Sequence, residues 1–257
     1  MARSITNQFS LEGKSFIVTG ASSGIGRSAS RFLAEAGAQV ICIARRREPL
    51  DELVAAINDE GGRASRLTAD LSVLEDLSDI ASSCKKIYRT IHGLVNAAGV
   101  NFRQPIDDIT IDSWQSTLNI NLAAPFFFSR EFVSQMKAAG YGRIINFASL
   151  QSVRAFPNGL AYGASKGGVC QLTRAMAEAW SRNSITCNAI APGFFPTELT
   201  EPVFSDSRTR QWAADQTLIG RNGEMEDLSG VLIFLASEAS KYITGQVLFI
   251  DGGFTAR

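Results

Sequence analysis

Seven short runs rich in β-branched and aliphatic residues punctuate the chain: 15–19 (SFIVT), 39–44 (QVICIA), 63–69, 93–96 (GLVN), 143–147 (RIINF), 184–190 (SITCNAI) and 246–250 (QVLFI). Between them, at 24–37, 48–60, 73–90, 112–138, 160–182 and 225–237, apolar positions recur every three to four residues, the period of an amphipathic helix. Strand and helix patterns in alternation predict βαβ units. The expected fold is therefore α/β, a Rossmann-like doubly wound arrangement with a seven-stranded parallel sheet flanked by helices. No linker rich in Pro, Gly or Ser interrupts the alternation, so one domain over 1–257 is expected. The stretch 191–224 is the least patterned and carries Pro192, Pro196 and Pro202 with Phe194, Phe195 and Trp212. A segment of that length inside a domain points to a lid, here at about 194–221. Two predicted helices are apolar on more than one face, with Phe126, Phe127, Phe128 and Phe132 in one and Val169, Leu172, Met176 and Trp180 in the other. Such helices need burial on both sides, which predicts a homo-oligomer, a tetramer by preference.

Composition narrows the function. Among 257 residues, 25 Lys and Arg balance 25 Asp and Glu, so no global field attracts a nucleic-acid backbone or an anionic membrane. The longest apolar run, 122–128, is far short of the roughly 20 residues that span a bilayer. The opening MARSITNQFSLEGK carries no apolar core of a signal peptide, and the cytoplasm is the expected compartment. Cys42, Cys84, Cys170 and Cys187 are widely spaced and the chain has a single histidine, so no metal site is expected. That histidine, His92, directly precedes a strand and so belongs at its amino end. This placement reads as structural and argues against a Ser–His hydrolase.

The first strand runs directly into Gly20-Ala21-Ser22-Ser23-Gly24-Ile25-Gly26 and then into a helix. A glycine-rich strand-to-helix turn lets backbone amides and a positive helix end approach a pyrophosphate closely; it can equally be a tight turn without a ligand. Tyr162 and Lys166 are four residues apart in a helical pattern and share a face. Ser149 ends a strand, and parallel sheets bind ligands beyond the carboxyl ends of their strands. Taken singly, each has a bland reading: a surface pair for Tyr162 and Lys166, a turn cap for Ser149, a helix cap for Asp70, a helix-interior polar residue for Asn121.

Together these motifs resemble the short-chain dehydrogenases/reductases. The resemblance rests on Thr19-Gly20-x-x-x-Gly24-Ile25-Gly26, Asp70, Asn96-Ala97-Ala98-Gly99, Asn121, Ser149, Tyr162-x-x-x-Lys166, Pro192-Gly193 with Thr197, and Asp251-Gly252-Gly253, in order along the chain. It implies hydride transfer between a nicotinamide cofactor and a secondary alcohol or ketone. Tyr162 is then the general acid/base, Lys166 lowers its pKa and holds the nicotinamide ribose, Ser149 hydrogen-bonds the substrate oxygen, and Asn121 anchors a proton-relaying water chain. The implied cofactor contacts are Gly20, Ser22, Ser23, Gly24, Ile25, Gly26, Arg45, Asp70, Leu71, Asn96, Ala97, Gly99, Tyr162, Lys166, Pro192, Gly193, Phe195 and Thr197. The stretches 191–200, Ser149–Ser152 and 251–257 resemble the gluconate 5-dehydrogenase and 2-deoxy-gluconate 3-dehydrogenase group, which implies a sugar acid or a similar polar small molecule as substrate. Arg154, Arg208 or Arg210 is the expected partner of its carboxylate. A 3-oxoacyl-carrier-protein reductase is the alternative enzyme, and a cofactor-binding regulatory protein the alternative of another class. At the end of the second strand, where NAD-selective sheets place an acidic residue, stands Ala44, followed by Arg45, Arg46 and Arg47. A guanidinium there, Arg45 first, can stack on adenine and bind a 2′-phosphate, so NADP(H) is expected over NAD(H), with NAD(H) as the second possibility.

Overall fold

Strand β1 (Ser15–Thr19) is buried along its whole length, and its side chains alternate between two apolar layers. Phe16 and Val18 join Val40, Cys42, Leu33, Leu50, Leu53 and Leu232 on one face. Ile17 joins Ile41, Ile43, Leu94, Phe128, Phe132 and Met176 on the other. A strand covered on both faces belongs to the middle of a parallel sheet, and the period of two divides its side chains between the layers. The computed structural model describes residues 5–256; residues 1–4 of the opening segment and Arg257 of the C-terminal motif lie outside them.

The other strands are β2 (Gln39–Ala44), β3 (Arg63–Thr68), β4 (Gly93–Asn96), β5 (Gly142–Phe147), β6 (Ile185–Pro192) and β7 (Val247–Ile250). They form one seven-stranded sheet in the order β3-β2-β1-β4-β5-β6-β7, and every pairing is parallel. The order reverses between β1 and β4, which pair with Thr19 opposite Asn96. The chains leaving these two strands diverge to opposite sides and open a crevice beyond their carboxyl ends. Thr19 stitches its floor, its Oγ1 accepting from the amides of Ala97 and Ala98, each at 3.1 Å. At the opposite end His92 Nδ1 accepts from the amide of Ser15 at 3.0 Å, far from the crevice.

The single helix expected over 112–138 is divided into three α-helices and a π-helical turn. It comprises Ile111–Leu118, a π-helical turn Asn119–Ala123, Ala124–Arg130 and, after a further break, Val133–Ala139. Pro125 explains the first break, because it has no N–H to give to the carbonyl of Asn121 four residues back. The region after β6 holds more structure than its sequence pattern shows: a turn at Glu198–Thr200 and helices at Glu201–Phe204 and Ser207–Asp215. The last of these is capped by Asp206, whose carboxylate accepts from the amide of Thr209 at 2.8 Å. Among the described residues, no helix is long and apolar enough to cross a membrane, and no cluster of His, Cys, Asp and Glu could hold a metal ion.

Candidate active site

The crevice widens into a cleft of about 890 Å³. On one side runs the glycine-rich turn. Gly20 lies at φ +68°, and a Cβ there would meet the backbone of Ala98 at 2.8 Å. A Cβ on Gly26 would lie 2.3 Å from the carbonyl oxygen of Gly20. Both positions thus require glycine, which is what lets the helix Gly24–Glu35 begin against the strand end. Ser23 occupies the N-cap of that helix without capping it; its hydroxyl donates to Glu198 Oε2 at 3.0 Å instead. The first amides of the helix therefore have no side-chain acceptor and face the cleft with the positive end of the helix dipole. This donor set fits the pyrophosphate of a dinucleotide.

The opposite wall is chemical. Ser149 follows β5, and its Oγ accepts from the amide of Gln151 at 3.1 Å, capping the turn Leu150–Ser152. The same hydroxyl acts on the Tyr162 phenol and lowers its pKa. Tyr162 and Lys166 lie one helical turn apart on Leu160–Trp180, and both are buried. The Lys166 ammonium donates to the Phe147 carbonyl at 2.6 Å and sits 5.6 Å from the centre of the Tyr162 ring. Burial pushes the Tyr162 pKa up, opposed by the hydrogen bond from Ser149 and by the positive charge of Arg103. Burial also pulls Lys166 down to about 8. Arg103, in the loop after β4, adopts a left-handed backbone at φ +52°. Its guanidinium donates to the Leu199 carbonyl at 3.1 Å, so a half-buried cation lines the same cleft as Ser149 and Tyr162.

A family model described as enoyl-(acyl carrier protein) reductase matches residues 20–255. The chain is 37% identical over 247 residues to a gluconate 5-dehydrogenase of Gluconobacter oxydans (strain 621H), covering 96% of each chain. The chain belongs to the short-chain dehydrogenase/reductase family. It is also 37% identical to a 2-dehydro-3-deoxy-D-gluconate 5-dehydrogenase of Bacillus subtilis (strain 168), covering 97% of each. A solved gluconate 5-dehydrogenase of Burkholderia cenocepacia J2315, in complex with NADP and tartrate, superposes with a TM-score of 0.94 at 36% identity, over 99% of this chain and 100% of that one.

Of the residues that resemblance assigned to this short-chain dehydrogenase/reductase site, all but two line the cleft. Asn96 lies behind the wall, its amide donating to Asn146 Oδ1 at 2.8 Å and to Ser129 Oγ at 3.2 Å. It thus ties β4 to β5 and to the helix Ala124–Arg130. Asn121, in the π-helical turn, exchanges hydrogen bonds with both backbone groups of Val100 at 2.9 and 3.0 Å and donates to Ser165 Oγ at 3.0 Å. It fixes the loop that carries Arg103. Phe195 lines the cleft but is itself almost wholly buried, whereas Trp212 is 46% exposed and stands edge-on to Phe194. Asp70 accepts from the amide and hydroxyl of Ser72, and its carboxylate lies 3.9 Å from Arg45. In this structure the Lys166 ammonium donates to the Phe147 carbonyl, and the groups that oppose the effect of burial on the Tyr162 phenol are Ser149 and Arg103.

Arg103 and Glu198 line the cleft but were not singled out in the sequence, and Arg46, read there only as a follower of Arg45, lines it too. Arg103 had one weak signal, its place four residues after the Asn96–Gly99 motif. Arg154, Arg208 and Arg210 are exposed and do not line the cleft; Arg154 instead lies 5.9 Å over the Phe254 ring.

The buried ammonium leaves a signature in stability. Because its folded pKa is below the unfolded 10.5, the native state releases this proton from about pH 8 upward while the unfolded chain keeps it. Stability attributable to Lys166 therefore rises between those two values. Relative to Lys166→Met, the wild type gains on the order of 2–3 kcal/mol across this window in urea unfolding, groups common to both proteins cancelling. A pH-independent difference would show that the ammonium is solvated.

Proposed function

We propose that the chain interconverts a secondary alcohol and a ketone on a sugar acid, with NADP(H) preferred over NAD(H). The observation that carries the substrate class is the Arg103 guanidinium, held by the Leu199 carbonyl in the cleft that Ser149 and Tyr162 also line. A planar cation in the same cleft as a hydroxyl pair accommodates a substrate with a carboxylate at one point and a reacting carbinol at another. When bound, the nicotinamide supplies or accepts the hydride. Tyr162 Oη gives or takes the proton on the substrate oxygen, and the Ser149 hydroxyl donates to that oxygen and orients it. Lys166, one turn along the helix, provides a positive charge next to the ribose site and favours the phenolate as charge develops. Gly20 to Gly26 bind the pyrophosphate, with Thr197 across from Gly24. The sugar-acid relatives and the NADP-bound neighbour support this reading.

Arg103→Ala should raise KM for a sugar acid by about 10- to 100-fold, the size of a lost charge-assisted hydrogen bond, and leave KM for the matching neutral polyol within about twofold. Equal losses on both would make Arg103 a loop support only.

The chain works in this reading as one unit with a lid at about 194–221 that closes over the substrate. Unchanged hydrogen exchange there with NADPH and product bound would count against it. A homotetramer is proposed from the aromatic surface left on two helices: Phe126 stacks on Trp180 at 6.3 Å, and Phe127 is 37% exposed. Sedimentation as a 27.7 kDa species would overturn it. Four free, buried cysteines suit a reducing compartment, the cytoplasm.

A further inference from the structure

Arg46 is the arginine that meets the glycine-rich turn. It donates from Nη2 to Ser22 Oγ at 3.1 Å and from both terminal nitrogens to Glu198, at 2.9 and 2.8 Å. With Ser23 adding its bond of 3.0 Å, the Glu198 carboxylate accepts from three donors. A fork-shaped guanidinium with a hydroxyl beside it, at the end of β2 and the start of the first crossover helix, is a site for an anion with several equatorial oxygens. The chain's own carboxylate occupies that site. Nothing else in the local fold requires Glu198 there: the turn it opens is closed independently by mutual Thr197–Thr200 hydrogen bonds and by Arg103 on the Leu199 carbonyl. The pair is also open to solvent, with 49% and 63% of the two side chains exposed, so its ions exchange partners readily.

We propose that Glu198 is an internal competitor for the anion subsite built by Arg46 and Ser23, so that this carboxylate sets how strongly the cleft discriminates a 2′-phosphorylated adenosine from a plain one. The inference rests on the NADP(H) reading above. A phosphate monoester carries more charge than a carboxylate and satisfies the same donors, so Glu198 leaves Arg46 when the subsite takes up the ester. Until then, the carboxylate holds the guanidinium in its binding orientation and weakens ester binding by the strength of its own contact.

Calorimetric titration of the full chain with adenosine 2′,5′-bisphosphate and with adenosine 5′-monophosphate tests this without turnover. Glu198→Gln should tighten the bisphosphate by about three- to tenfold and change the monophosphate by less than about twofold. Glu201→Gln, an exposed charge three residues on, controls for loss of a nearby negative charge and should change neither. Tightening of equal size in Glu201→Gln, or no tightening or a loss in Glu198→Gln, would overturn the proposal while a bisphosphate preference in the wild type left the NADP(H) reading intact. Should neither wild type nor Glu198→Gln prefer the bisphosphate, that reading fails and the proposal falls with it.

Discussion

Tyr162→Phe should lower kcat by about a thousandfold or more while NADPH affinity stays within about threefold. The ring is buried and keeps its packing in the variant, so only Oη and its interaction with the Ser149 hydroxyl are lost. No other side chain at this point in the cleft can take its place: Ser149 is too weak an acid and base, and the Lys166 ammonium is committed to the Phe147 carbonyl. General acid–base catalysis contributes about 10²- to 10⁴-fold, and here it falls on the step in which the substrate oxygen changes charge. Stopped-flow NADPH binding together with steady-state turnover separates the two quantities. A variant keeping a tenth of the wild-type rate would show that the proton moves by another path.

Gly26→Ala should abolish measurable cofactor binding, a loss of about a hundredfold or more, by removing the geometry rather than a contact. The added methyl would sit 2.3 Å from the Gly20 carbonyl oxygen and 2.7 Å from its carbon, both of them backbone atoms. The helix Gly24–Glu35 must then move away from the end of β1, carrying its free amides and its positive end with it. Ser30, whose hydroxyl donates to the Gly26 carbonyl at 2.9 Å, transmits the shift one turn further along the helix. A lower melting temperature is expected as well, so binding is read by NADPH fluorescence well below the melt. Near-normal affinity in a folded variant would mean that the turn tolerates a side chain and is no cradle.

The inner strands were legible in the sequence because they are buried on both faces and so appear as short apolar, β-branched runs, whereas the edge strand β3 is half exposed and was read from the alternation around it. The predicted ends differ from the observed ones by one or two residues, as at β3 (Arg63–Thr68) and β6 (Ile185–Pro192). The break inside 112–138 carried a readable sign, Pro125, but the apolar period on both sides of it masks the π-helical turn. Ser207–Asp215 was hidden for the opposite reason: its sequence is polar nearly throughout, and only the Asp206–Thr209 cap marks its start. In the site, residues tied to backbone geometry were legible, since Gly20 and Gly26 are required by close approach and Tyr162 and Lys166 by helical spacing. Arg103 and Glu198 were not. Each owes its position to a loop fold and to a partner about one hundred or more residues away, Leu199 for Arg103 and Arg46 for Glu198, and no local pattern encodes such pairs.

The most direct test is a comparison of initial rates, followed by nicotinamide absorbance, for sugar acids, their neutral polyols and 3-oxoacyl thioesters with NADP(H) and NAD(H). The account predicts a kcat/KM for a sugar acid with NADP(H) at least about tenfold above that for its neutral polyol and above that for any thioester, with NAD(H) less effective. Turnover of a 3-oxoacyl thioester without turnover of any sugar acid, or a preference for NAD(H), would contradict it.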